Sequence, residues 1–176
     1  MKEVVHELFS KEQVEERVAQ IAEQLNKDYE GKSLHLICIL RGSVFFFAGL
    51  AQKLKMPVTM DFMAASSYGN DTVHSGKLEI IQDLSDPVEG LDCLIIEDII
   101  DSGNTLSKVK KMISARNPAS VKVCALLDKP ARRETEMEAE YVGFQIPDHF
   151  AVGYGLDYAQ KYRNLPYIGV LEFIEE

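Results

Sequence analysis

The sequence predicts an α/β domain built on a mostly parallel, twisted sheet flanked by helices. Three observations carry this reading. Continuous apolar runs at residues 34–40, 91–96 and 121–127 are bounded by charged or turn residues, as suits parallel strands covered on both faces. Segments of helical length and spacing separate these runs, and such alternation requires crossover connections. Twice, finally, a run passes through a short polar turn straight into a helix-like segment, at Arg41-Gly42-Ser43 and at Asp101-Ser102-Gly103-Asn104-Thr105.

Taken in order, Met1 to His6 lacks the apolar core of a signal peptide. Ser10-Lys11-Glu12-Gln13 has the form of a capping box, and Val14, Val18, Ile21 and Leu25 follow at helical spacing until Gly31, giving a helix with one buried face. Residues 34–40 read as the first buried strand. Residues 44–54 form a helix that is apolar on nearly every side, which a sheet alone does not cover; a subunit interface is the simplest cover, a helix buried within one chain the alternative. Residues 57–65 begin another strand, and residues 66–76 form a polar loop long enough to suggest a functional role. Strands follow at 77–82 and 91–96, joined by a turn carrying Asp86-Pro87 and Glu89-Gly90. The next helix puts Leu106, Val109 and Ile113 on one face and stops before Asn117-Pro118. Residues 121–127 are a buried strand ending in Asp128-Lys129-Pro130. Residues 132–140 read as a charged, solvated surface segment, and 142–144, 150–155 and 167–174 as shorter strands.

A chain of 176 residues, 46% hydrophobic and 27% charged, suits one globular domain spanning 1–176. Its formal charge of −9 disfavours broad nucleic-acid binding, so an anionic ligand must be captured by local features. Cys38, Cys93 and Cys124 lie within apolar runs without metal-ligand spacing and read as reduced core residues, which fits a cytoplasmic protein. No apolar run approaches the length of a membrane span. The four histidines make no catalytic set, and His35, within an apolar strand, reads as a packed residue.

The chemistry concentrates after residue 94. The run Leu94-Ile95-Ile96 ends in Glu97-Asp98, and the turn Asp101 to Thr105 opens the following helix. A glycine-containing turn at a helix amino terminus presents N–H groups and a positive dipole end to an anion, here a phosphate. The adjacent acids repel a bare phosphate unless a cation or sugar hydroxyls intervene. A phosphorylated sugar with bound magnesium satisfies both.

This segment resembles the phosphoribosyl-pyrophosphate signature of the type I phosphoribosyltransferases. Together with Leu40-Arg41-Gly42, Ser67-Tyr68, Leu127-Asp128-Lys129, the stretch from Phe150 to Tyr158 and Tyr162-Arg163-Asn164-Leu165, it resembles the hypoxanthine-guanine members of that family. The resemblance implies the type I phosphoribosyltransferase fold, with a small hood built from terminal segments, and transfer of ribose 5-phosphate from phosphoribosyl pyrophosphate to an oxopurine. It further implies that Glu97 and Asp98 contact the ribose hydroxyls and a magnesium ion, and that Asp101, Ser102, Gly103, Asn104 and Thr105 surround the 5-phosphate. Asp101 is implied as the acid/base at the purine, Lys129 as the reader of its 6-oxo group, Phe150 as its stacking partner and the Ala151 backbone as a contact for its edge. Asp157, through a second magnesium, Arg163 and the Arg41-Gly42 turn are implied on the pyrophosphate side. Ser67 and Tyr68 are implied in a loop closing over the substrates. The apolar helix at 44–54, for its part, points to a homodimer or homotetramer. The family often has lysine where Arg41 stands. A nucleic-acid regulator that keeps only the phosphate cradle would need a basic patch, and a phosphotransfer receiver domain would need an early acidic pair; the sequence has neither.

Overall fold

The structure is a computed structural model describing residues 1–67 and 78–175. Its elements are β1 (Lys2–Phe9), α1 (Lys11–Asp28), β2 (Leu34–Ile39), α2 (Val44–Ala51), β3 (Val58–Ser67), β4 (Leu78–Gln82), β5 (Asp92–Ile100), α3 (Asn104–Ser114), β6 (Ser120–Asp128), β7 (Tyr141–Gln145), β8 (Ala151–Val152) and β9 (Ile168–Ile174). The main sheet has the order β4-β3-β2-β5-β6-β7, parallel except for the antiparallel β3–β4 pair.

Successive side chains along a strand point to opposite faces, so an apolar run with both faces covered feeds two cores. Leu36, Cys38, Leu94, Ile96, Cys124 and Leu126 join Val14, Val18, Ile21 and Leu25 of α1 and Phe46 and Leu50 of α2. Ile37, Ile39, Ile95, Val123 and Ala125 pack with Leu106, Val109 and Ile113 of α3 on the other side. Burial of one such aliphatic side chain contributes about 1.5–3 kcal/mol, and the sheet between two helical layers supplies many of them. The capping box of α1 forms as expected: Gln13 N donates to Ser10 Oγ at 3.1 Å, and Ser10 N donates to Gln13 Oε1 at 2.8 Å. His35 is buried, its Nδ1 within 2.7 Å of Thr59 Oγ1, in keeping with a packing role.

Several boundaries differ from the sequence reading. Glu97 and Asp98 lie inside β5, which continues through Ile100 because it pairs with β6 as far as Asp128. The helix predicted over 44–54 ends at Ala51, and β3 extends through Ser67 into the expected loop. The N-terminal segment, read only as lacking a signal peptide, is a strand. β1 pairs antiparallel with β9, and β9 with β8, forming the three-stranded hood expected from the terminal segments. Asp61, buried on β3, accepts the N–H groups of Ser85 and Asp86 at 2.8 and 3.1 Å and thereby ties the turn after β4 to the sheet. Among the described residues no helix is long and apolar enough to cross a membrane. All three cysteines are buried and free; burial raises the thiol pKa of Cys38 to about 12 and that of Cys93 to about 11.

Candidate active site

The carboxyl ends of β2, β5 and β6 meet along one edge of the sheet, where open α/β folds bind ligands. After β2 the chain passes a cis Leu40–Arg41 peptide bond into Gly42. The backbone here lies against β5 so closely that a Cβ on Gly42 would run into the Asp98 carboxylate. Ser43 Oγ donates to Glu97 Oε1 at 3.3 Å. Burial, and then the neighbouring Asp98, push the Glu97 carboxyl well above the usual carboxylate range; burial pushes Asp98 up as well, against the opposing pull of its hydrogen bonds and of Arg163. Two carboxylates in this position call for a cation or hydroxyl donors.

Beyond Ile100 the chain turns through Gly103, whose φ of +81° is left-handed and favours glycine, into α3. Asn104 N donates to Ser102 Oγ at 3.3 Å. A cavity of about 130 Å³ is lined here by Glu97, Asp101, Ser102, Gly103 and Thr105, together with Ile99, Ile100 and Leu106. The segment predicted to be solvated surface instead backs this turn. Glu134 N and Thr135 N both donate to Ser102 O, at 2.9 and 3.2 Å, Asn104 Nδ2 donates to Glu134 Oε2 at 2.6 Å, and Thr135 Oγ1 donates to Asn104 Oδ1. Met137 is buried, and its Cβ leaves little room above Gly103. The charged sequence concealed a backbone that satisfies the Ser102 carbonyl.

A second group gathers beside this cradle. Lys129 follows β6, is 7% exposed, and donates its backbone N–H to Ile100 O at 2.9 Å. Its ammonium lies 3.8 Å from Asp148 Oδ1, Asp148 Oδ2 lies 3.6 Å from Arg132 Nη1, and Arg132 Nε lies 3.4 Å from Asp101 Oδ1. The Arg132–Asp101 contact is a long hydrogen bond, and the two contacts of Asp148 are ion pairs beyond hydrogen-bond range. Arg133 donates to the Asp101 carbonyl at 2.8 Å and pairs with the Asp128 carboxylate. Phe150 is 50% exposed rather than a core aromatic, with the Tyr158 ring meeting it edge-on; Ala151 follows it on β8.

A third group closes the far side. Asp157 and Arg163 form an ion pair at 2.9 Å, and Arg163 Nη1 donates to Gly155 O at 2.7 Å. Gln160 Oε1 accepts from both Arg41 and Arg163, each at 3.2 Å, and a Cβ on Gly155 would strike the Gly42 carbonyl. Arg41, Gly42, Asp98, Asp157 and Arg163 are thereby brought together. Ser67 ends β3, whereas Tyr68 and most of the loop expected to close over substrates lie outside the described residues.

The phosphoribosyl transferase domain family matches residues 4–159. Hypoxanthine phosphoribosyltransferase of Salmonella typhimurium is 45% identical over 178 residues, covering 100% of both chains. The chain belongs to the hypoxanthine-guanine phosphoribosyltransferase family. Among solved structures, a hypoxanthine-guanine phosphoribosyltransferase from Bacillus anthracis superposes with a TM-score of 0.90 at 47% identity, covering 94% of this chain and 97% of that one. A point mutant of hypoxanthine phosphoribosyltransferase from Trypanosoma cruzi, in a ternary complex with substrates, gives 0.90 at 39% identity, with 94% of each chain covered.

For a purine-salvage phosphoribosyltransferase the donor set decides how magnesium fits. Among the described residues no cluster of three or more His, Cys, Asp or Glu side chains is gathered. Glu97 and Asp98 supply hard oxygens whose negative charge is poorly compensated, while Asp157 is already paired with Arg163. That suits an ion which keeps water and completes its shell with substrate oxygens, the habit of magnesium in phosphate chemistry. Ser43, Arg132, Asp148 and Gln160 also touch the phosphoribosyltransferase site and were not singled out from sequence. Ser43 and Gln160 adjoin recognised motifs, which is a usable signal; Arg132 and Asp148 carried none.

Proposed function

We propose that this chain transfers ribose 5-phosphate from phosphoribosyl pyrophosphate to hypoxanthine or guanine, giving IMP or GMP and pyrophosphate. The observation that carries the reading is the convergence at one sheet edge of an acidic pair, a glycine turn opening a helix, and a buried lysine that faces Asp148, two residues before the exposed Phe150 ring. In this reading Ser102 to Thr105 hold the 5-phosphate with hydroxyls and N–H groups, and Glu97 and Asp98 receive the ribose hydroxyls. The ribose is thereby fixed with its anomeric carbon toward the base. Phe150 offers one face to the purine, the Ala151 backbone its edge contact, and Lys129 donates to the 6-oxo oxygen. Asp101 takes the proton from the attacking purine nitrogen as the new bond forms.

On the opposite side Arg163, Arg41 and the Gly42 backbone hold the leaving pyrophosphate. Glu97 and Asp98 would hold one magnesium and Asp157 a second, each together with substrate oxygens, and the ions would neutralise charge on the departing pyrophosphate. Retained free thiols support a cytoplasmic setting for the reaction. Formation of one pyrophosphate per IMP, dependent on added base, is the expected stoichiometry; pyrophosphate release without base would identify a hydrolase instead.

Lys129 supplies a prediction of specificity. Replacement by Gln removes a charged hydrogen bond to the 6-oxo group worth about 1.5–3 kcal/mol, so hypoxanthine and guanine should bind roughly 10-fold or more weakly. Unchanged dissociation constants in isothermal titration would remove Lys129 from the base site.

We also infer a homodimer or homotetramer assembled through α2. Phe46, Phe47 and Leu50 are buried, whereas Val44 and Phe45 remain 39% and 45% exposed on the same helix. Sedimentation velocity at micromolar concentration should give a single species of two or four chains. A monomer would contradict this.

A further inference from the structure

We propose that Glu3, on the N-terminal strand of the hood, is a positioning residue for the loop between Asp157 and Arg163 and, through Tyr158, for the Phe150 ring. The proposal rests on the reading above, in which this loop serves the pyrophosphate end and Phe150 the purine. The two carboxylate oxygens of Glu3 accept from Lys161 Nζ at 2.7 and 2.6 Å, and Oε2 also accepts from the Tyr162 hydroxyl. The Lys161 ammonium, held in this way, lies 5.8 Å from the centre of the Tyr158 ring and 5.7 Å from that of Tyr162, within the range of cation–π attraction. Tyr158 in turn meets Phe150 edge-on at 5.6 Å and 85°, and Phe173 of β9 at 5.4 Å and 69°. One carboxylate thus orders a cation, the cation a ring, and the ring the face offered to the base.

The loop has reason to need such a clamp. Ala159, Gln160 and Tyr162 all have left-handed backbones, with φ of 48°, 66° and 76°, and none is glycine. Conformations of this kind persist only where the surroundings fix them. Within the loop, Gln160 N donates to Asp157 Oδ2 at 2.8 Å, and Tyr158 and Lys161 exchange backbone hydrogen bonds at 3.1 and 2.9 Å. These close the loop on itself. Glu3 joins it to β1, and β1 to β9, so the hood becomes the frame against which Asp157, Gln160 and Arg163 keep their places.

A partly exposed ion pair contributes little to global stability, so the effect belongs in substrate parameters. Glu3→Ala should raise KM for phosphoribosyl pyrophosphate and for the purine on the order of tenfold, with kcat and the melting temperature near wild type. Lys161→Met, which removes the cation between Glu3 and the Tyr158 ring, should raise the same KM values about as much as Glu3→Ala, and the double variant should lose little more than either single. Unchanged KM values in Glu3→Ala, or losses of the two singles that add in full in the double variant, would overturn the clamp. Arg163→Ala measured alongside separates this from the reading beneath it. If that variant keeps the wild-type KM for phosphoribosyl pyrophosphate, the assignment of the loop itself fails; if it is impaired while Glu3→Ala is not, the clamp alone fails.

Discussion

Asp101→Asn is expected to lower kcat for IMP formation by about 10²–10⁴-fold, the usual range for a positioned acid or base, with little change in the dissociation constant of phosphoribosyl pyrophosphate. The carboxylate stands where β5 enters the phosphate turn, and its nearest cation, Arg132 Nε, is 3.4 Å away. Asparagine keeps the shape and one acceptor oxygen, so the turn and its backing by Glu134 and Thr135 should survive. Only acceptance of the purine proton is lost. Single-turnover kinetics beside equilibrium binding provide the check. Retained kcat with collapsed binding would assign Asp101 to the phosphate cradle.

The second large effect is expected from Glu97→Gln combined with Asp98→Asn, and it has two parts of opposite sign. Turnover with phosphoribosyl pyrophosphate should fall by about 10²–10³-fold or more, as when transition-state charge loses its preorganised partner. Without magnesium, the folded protein should nevertheless become more stable at neutral pH. Both carboxyl pKa values are raised by burial, and that of Glu97 also by its neighbour. A raised carboxylate pKa means that the folded state binds protons more readily than the unfolded chain, so wild type gains stability as pH falls through the raised values. Its deficit against the variant should therefore be largest at neutral pH and close as pH approaches about 4, the ordinary carboxylate value.

Asp28 and Asp83 behave in the opposite sense. Hydrogen bonds from Tyr141 and Arg116 respectively hold their pKa values down. The stability they contribute is present at neutral pH and lost as pH falls through the lowered values. Each kcal/mol corresponds to about 2–4 °C in Tm for a chain of this size, so calorimetry with chelator at pH 7 and pH 5 is sensitive enough. A double variant that melts below wild type at pH 7 would contradict this account.

What could be read from sequence follows from how local each determinant is. β2, β5 and β6 announce themselves because both faces of each strand are buried, leaving runs such as Leu94-Ile95-Ile96 without a polar interruption. The acidic pair and the glycine turn are contiguous, so a single stretch displays most of the cradle. β1 was missed because a hood strand covered on one side, with Glu3, Val4, Val5 and Leu8 only partly buried, lacks a clean alternation, and its partner Ile174 lies at the other end of the chain. Residues 132–140 misled for a different reason. Their charges do face outward in part, but the segment's function is carried by the N–H groups of Glu134 and Thr135, and backbone donors leave no mark on side-chain composition. Asp61 likewise looks like any polar residue in a strand until the turn after β4 folds over it.

The central claim is that the cradle, the acidic pair and the Lys129–Phe150 base site act together on phosphoribosyl pyrophosphate and a 6-oxopurine. It is tested most directly by a spectrophotometric panel in which the purified protein receives phosphoribosyl pyrophosphate and each of hypoxanthine, guanine and adenine, with magnesium and with excess chelator. The expected result is IMP and GMP formation that requires magnesium, with adenine left unconverted. Conversion of adenine at a comparable rate, or full activity in chelator, would contradict the account.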